Sequence, residues 1–165
     1  MNNFANANVD SGEKAWLTPP EIVHGLGDFD LDPCVADNMP WSTAKRMVTK
    51  AEDGLSVDWD NQRVWCNPPY GREAVPFLQR MARHAGGGLV LVFARTDTQA
   101  WQKWIFPYAH SILFVSGRIK FYRADGNAGE TSPAPSALVS YSEFDTEKVR
   151  ELMKSGVVGG KLLLV

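Results

Sequence analysis

Apolar positions recur along this chain at two different periods, and the switches between them lay out its elements. Residues 74, 77, 78, 81, 82 and 85 are apolar at helical spacing, which predicts a helix over 73–85 that Gly86, Gly87 and Gly88 terminate. Residues 89–94 follow as a continuous apolar run, the pattern of a strand covered on both faces. Upstream, 64–66 is a shorter apolar run, and 29–34 and 46–49 read as brief strands. Downstream, 97–105 has Trp101 and Trp104 near one helical face and stops before Pro107. Residues 111–115, 119–122 and 137–141 then read as three successive strands, the last two separated by a Gly/Pro-rich stretch, 125–135, expected to be a mobile loop. A helix over 144–154 closes the pattern, and 161–165 fits a strand or an ordered tail equally well.

Near the start, Thr18 is placed to cap a short helix reaching about His24, with Pro19 in its first turn and Glu21 completing a capping box. Strands alternating with helices and then hairpin-like strands predict an α/β domain, its sheet mostly parallel with antiparallel strands in the C-terminal part. In such sheets ligands gather at the carboxyl ends of the strands. Asp32, expected to project from the tip of the 29–34 strand, Asp53 in an Asp-Gly turn, and Asn67 after the 64–66 strand all occupy such ends. The three are expected to share one crevice.

Composition narrows the class. A chain of 165 residues that is 44% hydrophobic and 22% charged suits one soluble domain, here expected over 16–165 behind a flexible tail over 1–15. No apolar run approaches the ~20 residues of a membrane span, and the polar start resembles no secretory signal. Cys34 and Cys66 are distant in sequence and form no Cys-x-x-Cys pair, so neither a disulfide framework nor a zinc site is indicated, and a reducing cytoplasm fits best. His24, His84 and His110 share no ligand spacing, and the acids at 28, 30 and 32 lack the glycine and closing glutamate of a calcium loop, so no metal is expected.

The net charge of −2 hides an uneven distribution. From Arg63 to Arg123 there are nine Lys or Arg against Glu73 and Asp97, a net of +7, and the rest of the chain carries −9. That asymmetry permits a nucleic-acid face on an acidic protein, although Arg80 and Arg83 fit a solvated helix face equally well.

The chemistry concentrates in Asn67-Pro68-Pro69-Tyr70-Gly71. Two prolines fix φ, remove two N–H donors and push the preceding residues toward extended backbone. The Asn67 amide oxygen and the Pro68 carbonyl are then two acceptors facing one spot, which suits an NH2 group. Tyr70 adds a ring that can stack on a base, and Gly71 lets the chain turn away.

This tetrapeptide is the motif of amino-group methyltransferases, and its setting resembles the small phage-type DNA N6-adenine methyltransferases. The resemblance runs through Trp16 with Thr18 and Pro19, Phe29-Asp30-Leu31-Asp32, Asp53-Gly54-Leu55 with Trp59, the Asn67 to Gly71 stretch, Ala94-Arg95-Thr96-Asp97-Thr98, and Gly117-Arg118-Ile119-Lys120-Phe121. It implies a Rossmann-like fold and S-adenosylmethionine as cofactor. By the same resemblance, Thr18 and Pro19 border the cofactor's methionine end and Asp32, Pro33 and Cys34 lie beside it. Asp53 accepts from its adenine amino group and Leu55 packs on that adenine. The chain departs from the common pattern after Asp32, where Pro33-Cys34-Val35-Ala36 replaces a Gly-rich loop. The short interval from Asp32 to Arg46 also leaves little room for a crossover helix.

The implied partner is DNA, either duplex with base flipping or single-stranded. Asn67, Pro68, Pro69 and Tyr70 are the expected catalytic set, and Arg72, Arg95, Arg118 and Lys120 are candidate phosphate contacts. Phe121 either stacks on the extruded base or packs into the core. The 125–135 stretch is the available source of target choice, so relaxed or short-site specificity is expected. If the chain is phage-encoded, it acts in the cytoplasm of a bacterial host. An enzyme acting on RNA or on a protein glutamine, or an inactive DNA-binding module, would use the same clamp.

Overall fold

The computed structural model describes residues 16–165, and the tail expected over 1–15 lies outside the described residues. Helix α1 (Pro20–Gly25) precedes strands β1 (Leu31–Val35) and β2 (Arg46–Thr49). Strand β3 (Val64–Cys66), helix α2 (Ala74–Arg83) and strand β4 (Gly88–Phe93) follow. A π-type turn over Trp101–Ile105 leads to β5 (Ser111–Val115), then β6 (Lys120–Tyr122), β7 (Ala128–Thr131) and β8 (Ser136–Ser140). Helix α3 (Glu143–Lys154) and β9 (Gly160–Leu164) complete the chain.

Seven strands form one sheet in the order β2-β1-β3-β4-β8-β5-β9. The first three neighbouring pairs are parallel and the last three antiparallel, so the antiparallel strands fall in the C-terminal part as expected, but the sheet is half and not mostly parallel. Strand β8 lies between β4 and β5, with Leu91 opposite Leu138 and Leu138 opposite Leu113. The β1 to β2 crossover contains no helix, as the short interval from Asp32 required.

Both sheet faces are covered, which is why 89–94 reads as an unbroken apolar run. On one face Leu89 and Leu91 pack with Trp65, with Ile22 of α1 and Leu26 just after it, and with Val149 and Leu152 of α3. On the other, Val90, Val64 and Cys66 pack with Leu78 and Met81 of α2 and with Trp101 and Ile105. Asp145 ties α3 to the sheet: it forms a buried ion pair with Arg63 at 2.8 Å and accepts the Gly88 N–H at 2.7 Å. A buried charge is tolerated when paired and hydrogen-bonded in this way.

Three local expectations are corrected. Thr18 caps nothing: Pro19 occupies the N-cap of α1, no side chain makes a capping bond there, and the Thr18 hydroxyl is engaged elsewhere. Residues 119–122 do not join the main sheet but pair with β7, which lies inside the stretch expected to be a loop. That hairpin is fastened to the N-terminal segment by reciprocal backbone bonds between Leu17 and Tyr122 at 2.9 and 3.0 Å. Residues 97–105 are helical as expected only from position 99, and the Trp101–Ile105 part is π-type, with the Phe106 N–H bonding back to Trp101, five residues earlier. At the C-terminus, the ambiguous 161–165 stretch is mostly strand β9, antiparallel to β5.

Candidate active site

Strands β1, β3 and β4 run parallel, so their carboxyl ends meet at one side of the sheet. β3 delivers Asn67 there. Its side-chain nitrogen donates to the Trp16 carbonyl and to the Thr18 hydroxyl, each at 3.3 Å. With the nitrogen so committed, the amide oxygen turns the other way, and no described residue donates to it. The Asn67 backbone carbonyl accepts the Cys34 thiol at 3.3 Å, and the Pro68 carbonyl likewise has no donor among the described residues.

Tyr70 is 38% exposed, and its ring stacks on that of Phe93, the last residue of β4, at 4.7 Å between centroids and 11° between planes. Burial of the phenol pushes it above the ordinary tyrosine range. Gly71 follows with φ 71°, a left-handed turn that a side chain would strain, and the chain turns into α2.

On the neighbouring strand Asp32 does not project from a tip. It sits within β1, which runs on through Pro33 to Val35, and it is only 3% exposed. Its carboxylate accepts the Thr43 hydroxyl at 2.6 Å and the Cys34 N–H at 3.1 Å. Burial pushes its pKa up to about 6, with those two hydrogen bonds pulling the other way. The Cys34 and Cys66 thiols, far apart in sequence, lie 3.5 Å apart on adjacent strands. Their mutual hydrogen bond and burial hold the Cys34 thiol well above the ordinary thiol range.

The Asp53 turn reaches the same region. A Cβ on Gly54 would fall 1.6 Å from the Pro33 carbonyl oxygen, so only glycine lets this turn lie against β1. Asp53, with φ 57°, accepts the Leu55 N–H at 3.2 Å and is otherwise exposed. Trp59 donates its indole N–H to the Gly54 carbonyl at 2.8 Å. Arg80 donates to the Leu55 and Val57 carbonyls and lies over the Trp59 ring. Arg80 is thus a brace for this turn and not a solvated surface charge.

Thr18, Asn67, Cys34 and Asp32 are joined in one series of direct contacts, with buried Pro19 adjoining Thr18 and half-buried Leu55 on the Gly54 turn. Arg72, Arg95, Arg118 and Lys120 are exposed. Phe121 is not at the surface: at 2% exposure it packs edge-on against Trp16, so the core alternative holds and base stacking by this ring is set aside. Sequence reading missed Phe93, Thr43 and the bracing role of Arg80. Each acts through a partner distant in sequence, which leaves no local signal.

A family model described as DNA N-6-adenine-methyltransferase (Dam) matches residues 6–157. The chain belongs to the Dam family. Every residue placed at the strand ends above lies within that match. The DNA N-6-adenine-methyltransferase of Haemophilus phage HP1 (strain HP1c1) is 24% identical to this Dam-family chain over 149 residues, covering 84% of each. No solved structure matches it. Among the described residues no helix is long and apolar enough to cross a membrane, and no cluster of His, Cys, Asp or Glu could hold a metal ion.

Proposed function

We propose that this Dam-family chain acts as one Rossmann-like domain over 16–165, transferring a methyl group from S-adenosylmethionine to N6 of an adenine in DNA. The observation that carries the reading is the fixed Asn67 amide. With its nitrogen held by Trp16 and Thr18, the amide oxygen and the Pro68 carbonyl remain as two acceptors beside an aromatic ring.

The residues beside Asn67 fit the cofactor. Asp32 offers a buried carboxylate to an ammonium, and Asp53 keeps an exposed carboxylate oxygen for an amino or hydroxyl group. Leu55 supplies apolar surface next to it, Thr18 and Pro19 border Asn67, and Pro33 and Cys34 form the adjoining wall of β1. Bound there, the cofactor would supply an electrophilic methyl on a sulfonium.

The acceptor is the difficult partner, because the N6 lone pair is delocalised into the adenine ring. Hydrogen bonds from the amino group to Asn67 Oδ1 and the Pro68 carbonyl orient it and favour the pyramidal, positive nitrogen of the transition state. Pro69 holds these acceptors in place, and alignment with the methyl supplies proximity; as the N–CH3 bond formed, the S–CH3 electron pair would stay with the departing thioether and the nitrogen would give up one proton to water. In a duplex N6 faces its pairing partner, so the base leaves the stack and rests on Tyr70. Arg72, Arg95, Arg118 and Lys120 meet phosphates, and the β6–β7 hairpin, hung beside the site by Leu17, approaches the neighbouring bases.

The test is incubation with methyl-labelled cofactor and DNA, RNA or bulk protein, followed by nucleoside and amino-acid analysis. Label is expected in N6-methyladenine of DNA. Label confined to RNA or to protein glutamine overturns the reading, and DNA binding without transfer identifies an inactive module.

A further inference from the structure

The two prolines fix where the Tyr70 backbone goes, but they leave its side-chain torsions free. No described residue hydrogen-bonds the Tyr70 hydroxyl. The aromatic ring packed against it is that of Phe93. The two rings are nearly parallel, 4.7 Å apart at 11°, an offset stack that covers one Tyr70 face. The position of Phe93 follows from the sheet: β3 and β4 are paired with Cys66 opposite Val90, so β4 runs three residues further and carries position 93 up to the level of the tetrapeptide. Its cross-strand neighbour on β8 is Ser136, a small residue that leaves the ring room to lie flat under Tyr70. The Arg95 guanidinium lies 5.9 Å from the Phe93 ring centre, which places a cation at the rim of the stack.

We propose that Phe93 is a positioning residue for methyl transfer: it holds the Tyr70 ring so that its outer face presents a ready platform for the extruded adenine. The finished arrangement is a three-layer stack of base, Tyr70 and Phe93, flanked by Arg95 for the adjacent phosphate. An aliphatic side chain at 93 fills space but cannot keep the Tyr70 ring parallel to a base, so the platform must be ordered anew at each turnover. This inference rests on the adenine-clamp reading above and adds to it the residue that sets the clamp's ring.

A double-mutant cycle tests it, with methyl transfer to unmethylated DNA followed by label incorporation. Phe93→Leu should lower kcat/KM for DNA roughly ten-fold, the scale of one base–aromatic stack. Phe93→Tyr, which keeps the ring, should stay within about two-fold, and cofactor affinity should be unchanged in both. In a Tyr70→Ala background Phe93→Leu should add no further loss. An oligonucleotide with 2-aminopurine at the methylated adenine should show a smaller fluorescence change on binding Phe93→Leu than on binding the parent. Phe93→Met repeats the measurement should the leucine variant fail to fold. Unchanged transfer by Phe93→Leu or Phe93→Met, or losses that add fully in the Tyr70→Ala background, overturn the inference and leave the adenine reading standing. Label in RNA or protein instead of DNA overturns both.

Discussion

The side-chain nitrogen of Asn67 donates to the hydroxyl of Thr18 at 3.3 Å, so a residue 49 positions earlier in the chain helps to decide which way the Asn67 amide faces. Thr18→Val keeps the shape of this buried residue and removes the acceptor. One neutral hydrogen bond contributes about 1 kcal/mol, so methyl transfer should fall several-fold, while Thr18→Ser should retain it. Steady-state rates with labelled donor measure both, and equal losses in the two variants would show that the methyl group of Thr18 is what matters.

In the proposed reaction Asn67 acts on the acceptor and not on the cofactor. Asn67→Ala should reduce kcat by roughly 10²–10³, the usual cost of removing one polar group aimed at transition-state charge. Cofactor affinity, measured by calorimetry, should change by no more than a few-fold. A parallel collapse of affinity and rate would instead place Asn67 in the cofactor pocket.

Asp32 predicts a dependence on pH in two quantities. Its carboxyl ionises at about 6 in the folded chain against 3.8 as a free group, so between those values the folded state binds the extra proton and stability falls as pH rises. The burial cost is absent below pH 4 and reaches about 3 kcal/mol above pH 6, at 1.36 kcal/mol per pKa unit. Asp32→Asn should therefore unfold at higher urea than the parent at pH 7.5, with the gap closing by pH 4. An ammonium bound beside Asp32 favours its ionised form, so cofactor affinity should tighten from pH 5 to 7 in the parent and lose that slope in Asp32→Asn. Calorimetry across this range checks it.

Gly54→Ala should separate the Asp53 turn from β1, since the added Cβ meets the Pro33 carbonyl oxygen and not a flexible side chain. Cofactor affinity should drop about ten-fold or more, with a stability loss of roughly 1–3 kcal/mol as the backbone shifts. Urea unfolding and calorimetric titration report the two effects separately. Native affinity in this variant would remove Asp53 and Leu55 from the proposed cofactor site.

How far the sequence carries depends on how local each signal is. β3, α2 and β4 were legible because the 64–66 run, the helical spacing over 74–85 and the glycines between them are contiguous, and the Asn67 to Gly71 turn declares itself through its own prolines. The β6–β7 hairpin was not legible, because its second strand contains Gly129 and sits among residues that favour loops, and its pairing is decided by tertiary contact with Leu17. Asp32 was correctly expected near Asn67, but its burial was not, since that depends on Thr43 supplying a hydroxyl from the crossover loop. Cys34 and Cys66 show the same limit: no spacing rule brings them together, yet parallel pairing of β1 and β3 sets their thiols side by side.

The insertion of β8 between β4 and β5 bears on how the chain is made. β4 emerges from a ribosome more than forty residues before its partner, and β5 cannot dock beside β4 without it. Until residues 136–140 are synthesised, β4 and β5 each present an unfilled edge, and such edges recruit other chains. Closing the sheet is then a late, long-range event, slow for the same reason that all non-local pairing is slow. A chain cut short before β8 would leave both of those edges unpaired, and such fragments are expected to aggregate.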